Sequence, residues 1–195
     1  MENEVENWRM GPLTSSLWIF LTVQSSSGAE AEQALFREAA KRVPKSRYLH
    51  NVPCLQLLAV AEEMLEGEIA YRRGDHDAAF ARLRAAIALE DDLPYDEPWG
   101  WMQPVRHALG ALLSEQDRTA EAEAVYREDL GLGGALPRAQ IHPDNLWALR
   151  GLLECRQRRG ETAEAALIRQ RADFAAARAD LPVAVSCFCA RGKAT

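Results

Sequence analysis

Three short stretches decide how this chain is read: Gly74-Asp75-His76-Asp77-Ala78-Ala79, Asp117-Arg118-Thr119-Ala120-Glu121-Ala122 and Gly160-Glu161-Thr162-Ala163-Glu164-Ala165. Successive stretches start 43 residues apart, and each has alanine at its sixth position. Just upstream, at matching distances, stand Glu66-Gly67, Leu109-Gly110 and Leu152-Leu153. Small or apolar residues at fixed places are what close helix packing requires, because a bulky side chain would hold the neighbouring helix away. A period of this length without strand-like alternation signals a helical array.

Each unit reads as two helices around its turn. Ahead of the turn, Leu58, Ala61, Met64/Leu65 and Ile69 keep spacings of three to four, as do Val105, Leu109, Leu112 and Leu113, and then Leu146, Leu149, Leu152 and Leu153. After it come the stripes Ala79-Leu83-Ala86-Ile87, Ala122-Val125/Tyr126-Leu130 and Ala165-Ile168-Ala172. Breakers separate the units: Leu93-Pro94-Tyr95-Asp96-Glu97-Pro98, then Gly131-Leu132-Gly133-Gly134-Ala135-Leu136-Pro137. Pro143 suits a first helical turn, with Asp144 favourable at the positive end of the helix dipole. No run asks to be a strand. Upstream, Ala31, Ala34, Leu35, Ala39 and Val43 suit one helix ending before Pro44.

These residues resemble the tetratricopeptide repeat family. Leu109-Gly110, Ala122 and Tyr126 fit its signature in the second unit, and Gly67, Gly74, Ala79 and Ala86 in the first. In the third unit Leu152-Leu153 replaces leucine-glycine, and Arg169 stands where an aromatic is expected. The period exceeds the family's usual length of about 34, because the linkers are long. The stretches from Tyr95 to Gly100, from Arg106 to Gly110 and from Ser186 to Cys189 also resemble the C-terminal part of longer proteins of this family of unassigned activity. The resemblance implies an all-α fold, a right-handed α-solenoid of antiparallel helix hairpins. The expected organisation is an N-terminal segment 1–28 with an extra helix, a partial repeat 29–50, three helix pairs within 51–181 (52–93, 98–131 and 143–181) and a tail 182–195.

In that family one face of each first helix lines a concave groove. Carried over by register, the groove holds Met64, Tyr71, Arg72, His107, Trp147, Arg150, Glu154 and Arg158. Aromatic and arginine side chains dominate binding hot spots, and Arg150 or Arg158 is suited to clamp a carboxylate. The implied function is a non-catalytic protein-interaction module that takes a peptide or helix of a partner. A half repeat at the N-terminus would expose an apolar face, to be capped by Trp18 and Phe20 or by a second copy in a homo-oligomer.

Other chemistries were weighed against ordinary structure. The formal net charge of -6 argues against a nucleic-acid partner. The basic clusters Lys41-Arg42-Lys45-Arg47 and Arg156-Arg158-Arg159 read as solvated helix ends. No segment reaches the roughly 18–20 apolar residues that span a bilayer. Leu17–Val23 is preceded by Glu2, Glu4 and Glu6 rather than the positive start of a secretion signal, so a cytoplasmic location and no membrane partner are expected. Four cysteines are too few for a disulfide scaffold. Cys187 and Cys189 stand one residue apart, short of zinc-ligand spacing, so they read as packed tail cysteines, and Cys54 and Cys155 as core thiols. No cofactor, metal or catalytic residue is assigned. The rivals are a metal- or small-molecule-binding protein or enzyme using the Asp96–His107 region or the Cys187/Cys189 tail, and a truncated fragment that self-associates.

Overall fold

The computed structural model describes residues 26–187 and residue 189. It is mostly helical, with seven α-helices among the described residues: α1 Ser26–Ala40, α2 Cys54–Arg72, α3 His76–Asp91, α4 Val105–Glu115, α5 Thr119–Asp129, α6 Leu146–Arg158 and α7 Thr162–Ala176. None is long and apolar enough to cross a membrane. The chain divides into two compact units, residues 1–102 and 103–195. The segment expected to cap the N-terminal half repeat, with Trp18 and Phe20, lies outside the described residues.

The 43-residue period has a backbone cause. Gly74, Asp117 and Gly160 all take left-handed conformations, with φ of 87°, 56° and 72°. In each case the residue's own N–H bonds three residues back, to Tyr71, Ser114 and Gln157. The next N–H bonds five back, to Ala70, Leu113 and Arg156. This paired pattern ends a helix by satisfying its last carbonyls, and glycine suits it because it lacks a β-carbon. The same device closes α5 at Gly131, where φ is 74°.

In the first unit α2 packs antiparallel on α3, and α1 packs on α2. Gly67 allows the α2–α3 approach: a β-carbon there would meet Leu83 Cγ at 2.9 Å and the Ala79 carbonyl oxygen at 3.2 Å. Ala29 and Phe36 of α1 join Ala61, Leu65 and Ile69 of α2 in one apolar cluster, with Leu58 and Trp101 packed at its edge. Burying a side chain such as Phe36 contributes about 1.5–3 kcal/mol.

Three local expectations are corrected. The buried stripe of α1 is Ala29, Gln33, Phe36 and Ala39, whereas Leu35 is 55% exposed and Ala31 and Ala34 face solvent. Phe36 is the largest apolar side chain there and takes the inward position, which turns Leu35 outward. A two-stranded hairpin pairs Tyr48–Leu49 (β1) with Val52–Pro53 (β2) around His50, whose φ is 51°. Two-residue strands leave no periodicity to read. The third pair begins at Leu146, because Asn145 caps it by accepting from the N–H groups of Trp147 (2.9 Å) and Ala148 (3.4 Å). Asp144 sits outside the helix at φ 59° and pairs with Arg171 of α7 at 2.8 Å.

In the second unit α4 packs on α5, α5 on α6 and α6 on α7, with α4 also touching α6. Every residue of α4 from Val105 to Ser114 is buried. Arg156 of α6, itself buried, ties three helices together: it pairs with Glu123 of α5 at 2.8 Å, with Glu164 of α7 at 2.9 Å and with Glu161 at the start of α7.

Candidate functional site

The second unit is built around Tyr126. Its ring lies between Gly110 of α4 and Gly151 of α6, and a β-carbon at either glycine would overlap it. Position 126 is the 43-residue counterpart of Leu83, so the ring fills a place that the repeat already reserves for contact with the facing helix. At the far end of the ring the hydroxyl donates to Ser186 Oγ at 2.6 Å in a buried bond. Burial is the main reason this phenol is held well above its ordinary range.

Ser186 belongs to the chain that follows α7. Residues 182–187 form neither helix nor strand, and they run over α4 and α6. Arg150 of α6 donates through Nε to the Val183 carbonyl at 3.1 Å. Cys187 and Cys189 are joined in a disulfide, and both are buried. The Cys189 sulfur lies 4.0 Å from the Ala108 carbonyl oxygen of α4. The first-helix face of this unit therefore holds an irregular, bent peptide, and the peptide is the chain's own.

Three further groups border this region. Arg158 donates to the Ser114 carbonyl at 2.8 Å, adding a second donor to the one that carbonyl receives from the Asp117 N–H, and pairs with Glu154 one turn back. Trp147 is half-buried at the start of α6. His107, by contrast, points inward: its Nε2 lies 2.9 Å from Asp129 Oδ2, and His142 Nδ1 lies 2.8 Å from Oδ1. The His142 N–H also donates to the Asp129 carbonyl. Burial alone would raise the Asp129 carboxyl, but the two imidazole hydrogen bonds and their charge outweigh it and hold it below its ordinary range. The cluster pins the end of α5 to α4 and to the loop before α6.

In the first unit Met64 and Tyr71 are core residues rather than surface ones. Tyr71 packs on His76 and Phe80, with ring centroids 4.8 and 6.1 Å away, and the half-buried Arg72 guanidinium lies 5.7 Å from the Tyr71 centroid. Glu68, on the same helix, is 1% exposed, and among the described residues neither carboxylate oxygen has a hydrogen-bond partner. Burial pushes its carboxyl up to about 8, against the opposing pull of Arg72, so it carries a proton at neutral pH.

The eight expected groove residues thus separate. Arg150, Glu154, Arg158 and Trp147 stay at or near the surface of the second unit, while Met64, Tyr71 and His107 are interior and Arg72 flanks Tyr71. The rival sites have structural partners. Asp96 is buried and accepts from the Asn51 N–H at 3.3 Å and the Glu97 N–H at 3.1 Å. Burial pushes the Cys155 thiol up to about 12, unlike an activated nucleophile. Among the described residues no group of three or more histidine, cysteine or acidic side chains is arranged to hold a metal ion. The sequence reading missed two elements of the site: the tail's return over α4 and α6, and Asp129 as the link between two histidines. Neither leaves a local motif, since the partners are 22, 13 and 60 residues apart.

No family model matches the chain, and neither does any curated protein or solved structure at a significant level.

Proposed function

We propose that the chain is a non-catalytic protein-interaction module of tetratricopeptide-like hairpins that binds an extended segment of a partner protein on the first-helix faces of its repeats. One observation carries this reading: the α4–α6 face already accommodates a non-helical peptide, held through a backbone carbonyl on Arg150 and a hydroxyl on Tyr126. A side chain that bonds a backbone carbonyl recognises a strand of any sequence, and the hydroxyl contact adds selectivity. The left-handed turns at Gly74, Asp117 and Gly160 support the repeat architecture, and the solenoid it implies belongs to this proposal. The acidic balance disfavours nucleic acid, and the proposed setting is cytoplasmic.

Affinity capture from the source cell tests this. The control is Trp147→Ala with Arg150→Glu, both at half-buried positions, so helical content should survive. A partner captured by the native chain and lost from the control is the expected result; equal capture by both would overturn the reading. Self-association is a second reading, favoured by Leu35 on α1 and by Leu167 and Phe174 on α7, all more than half exposed. It predicts a solution mass that rises with concentration.

A further inference from the structure

We infer that residues 182–187 with Cys189 are a built-in occupant of the α4–α6 face, displaced by a partner segment of like chemistry. This rests on the interaction-module reading and adds what the face selects and how it is kept closed. The tail is not a helix completing the array. Its attachment is discrete: the Val183 carbonyl on Arg150, Ser186 on Tyr126 and Cys189 against Ala108. Between α7 and these contacts, residues 177–182 are exposed, so the tail can lift without unwinding α7.

The seat dictates the ligand. Arg150 takes a backbone carbonyl, and three residues later Tyr126 meets a small hydroxyl in a buried position. The Tyr126 ring is fixed by Gly110 and Gly151, so its hydroxyl cannot retreat to admit a large side chain. The partner is therefore a non-helical protein segment with small apolar residues leading to a serine, bent there as Val185 and Ser186 are. An acidic or aromatic residue at the serine position would bury an unsatisfied group or clash.

The test uses the full chain with a protease recognition sequence replacing the exposed Ala179–Leu181. After cleavage the tail is removed by gel filtration. The probe is a fluorescent synthetic peptide carrying the sequence of residues 181–190, its two cysteines joined. The cleaved chain should keep its helical content and bind the probe at least about tenfold more tightly than the uncut chain. Arg150→Ala should weaken that binding about tenfold, the usual scale for losing a charged hydrogen bond. A cleaved chain that loses its helices makes the tail a structural element and overturns the inference, as does equal binding by cut and uncut chains.

A second variant avoids cleavage. Uncut Ser186→Val has a weakened tail and an intact face, so it should take the wild-type probe where the native chain does not; failure to do so counts against the inference. A concentration-dependent mass of the uncut chain that excess probe reverses would assign the occupant to a second copy's tail and overturn the partner assignment. Partner capture with the native tail shown still seated would leave the interaction module standing and remove only the tail's role.

Discussion

The two units use the same repeat register in opposite ways. In the first, Gly67 faces Leu83, and the ion pairs lie at the surface: Arg82 with Glu63 at 3.1 Å, and Arg37 with Glu62 and Glu66. In the second, Gly110 faces Tyr126, and beside surface pairs such as Arg158 with Glu154 there are buried charges: Arg156, which pairs with Glu123, Glu161 and Glu164, and Asp129 between His107 and His142. A leucine closes an apolar seam and ends there. A tyrosine at the same register position carries a hydroxyl through the seam to its far side, where it can hold a peptide. One difference in residue type thus turns a packing position into a seat for the chain's own tail.

Substitutions can break this contrast. The largest effect should come from Arg156→Ala, which takes the nearer partner from the buried Glu123 and leaves it Arg159 at 3.6 Å; removing one partner of a buried ion pair costs up to about 3–5 kcal/mol. Denaturant unfolding of the full chain would show it, and a change below about 1 kcal/mol would mean that the pairs are solvated. The matching change in the first unit, Arg82→Ala, should cost less than about 1 kcal/mol by the same assay, because that pair is exposed.

Glu68 is the exception in the first unit. An acid whose folded pKa is raised keeps its proton on folding, so stability is greatest below the unfolded value near 4.3 and falls as pH rises toward about 8. The slope is about 1.4 kcal/mol per pH unit, giving a loss of about 4 kcal/mol by pH 7. Glu68→Gln should flatten the stability profile between pH 5 and 8, and an unchanged profile would show that the carboxyl is ionised in the fold. Asp129 has the opposite sign. Its depressed pKa contributes stability above the unfolded value near 3.9, lost as pH falls through the lower folded value. Asp129→Asn should therefore reduce acid sensitivity while lowering stability at pH 7.

The smallest expected effect is a gain. Asp117 occupies the left-handed position that glycine holds at 74 and 160, and its side chain is 93% exposed. Asp117→Gly should raise stability by roughly 1 kcal/mol, read as a higher unfolding midpoint.

What could be read from the sequence follows from the range of each signal. Turn glycines and apolar stripes are local, so the hairpins of Gly74, Asp117 and Gly160 were legible before any coordinates. The phase of α1 was not, because Leu35 and Phe36 are adjacent and both apolar, and only packing against Ala61 and Leu65 selects Phe36. Of the residues that register placed on one face, Arg150, Trp147, Glu154 and Arg158 stay at or near the surface, whereas Met64, Tyr71 and His107 are interior. Register names a face; it does not say what covers it. The tail's return could not be read, since Ser186 meets Tyr126 across 60 residues with no periodic pattern.

The most direct measurement is the nuclear Overhauser contact between the Tyr126 ring and the Ser186 side chain, in the native chain and in Arg150→Ala. If the α4–α6 face holds the tail, the contact is present in the native chain and weaker in the variant, while helical content is the same in both. Its absence from the native chain would contradict the account.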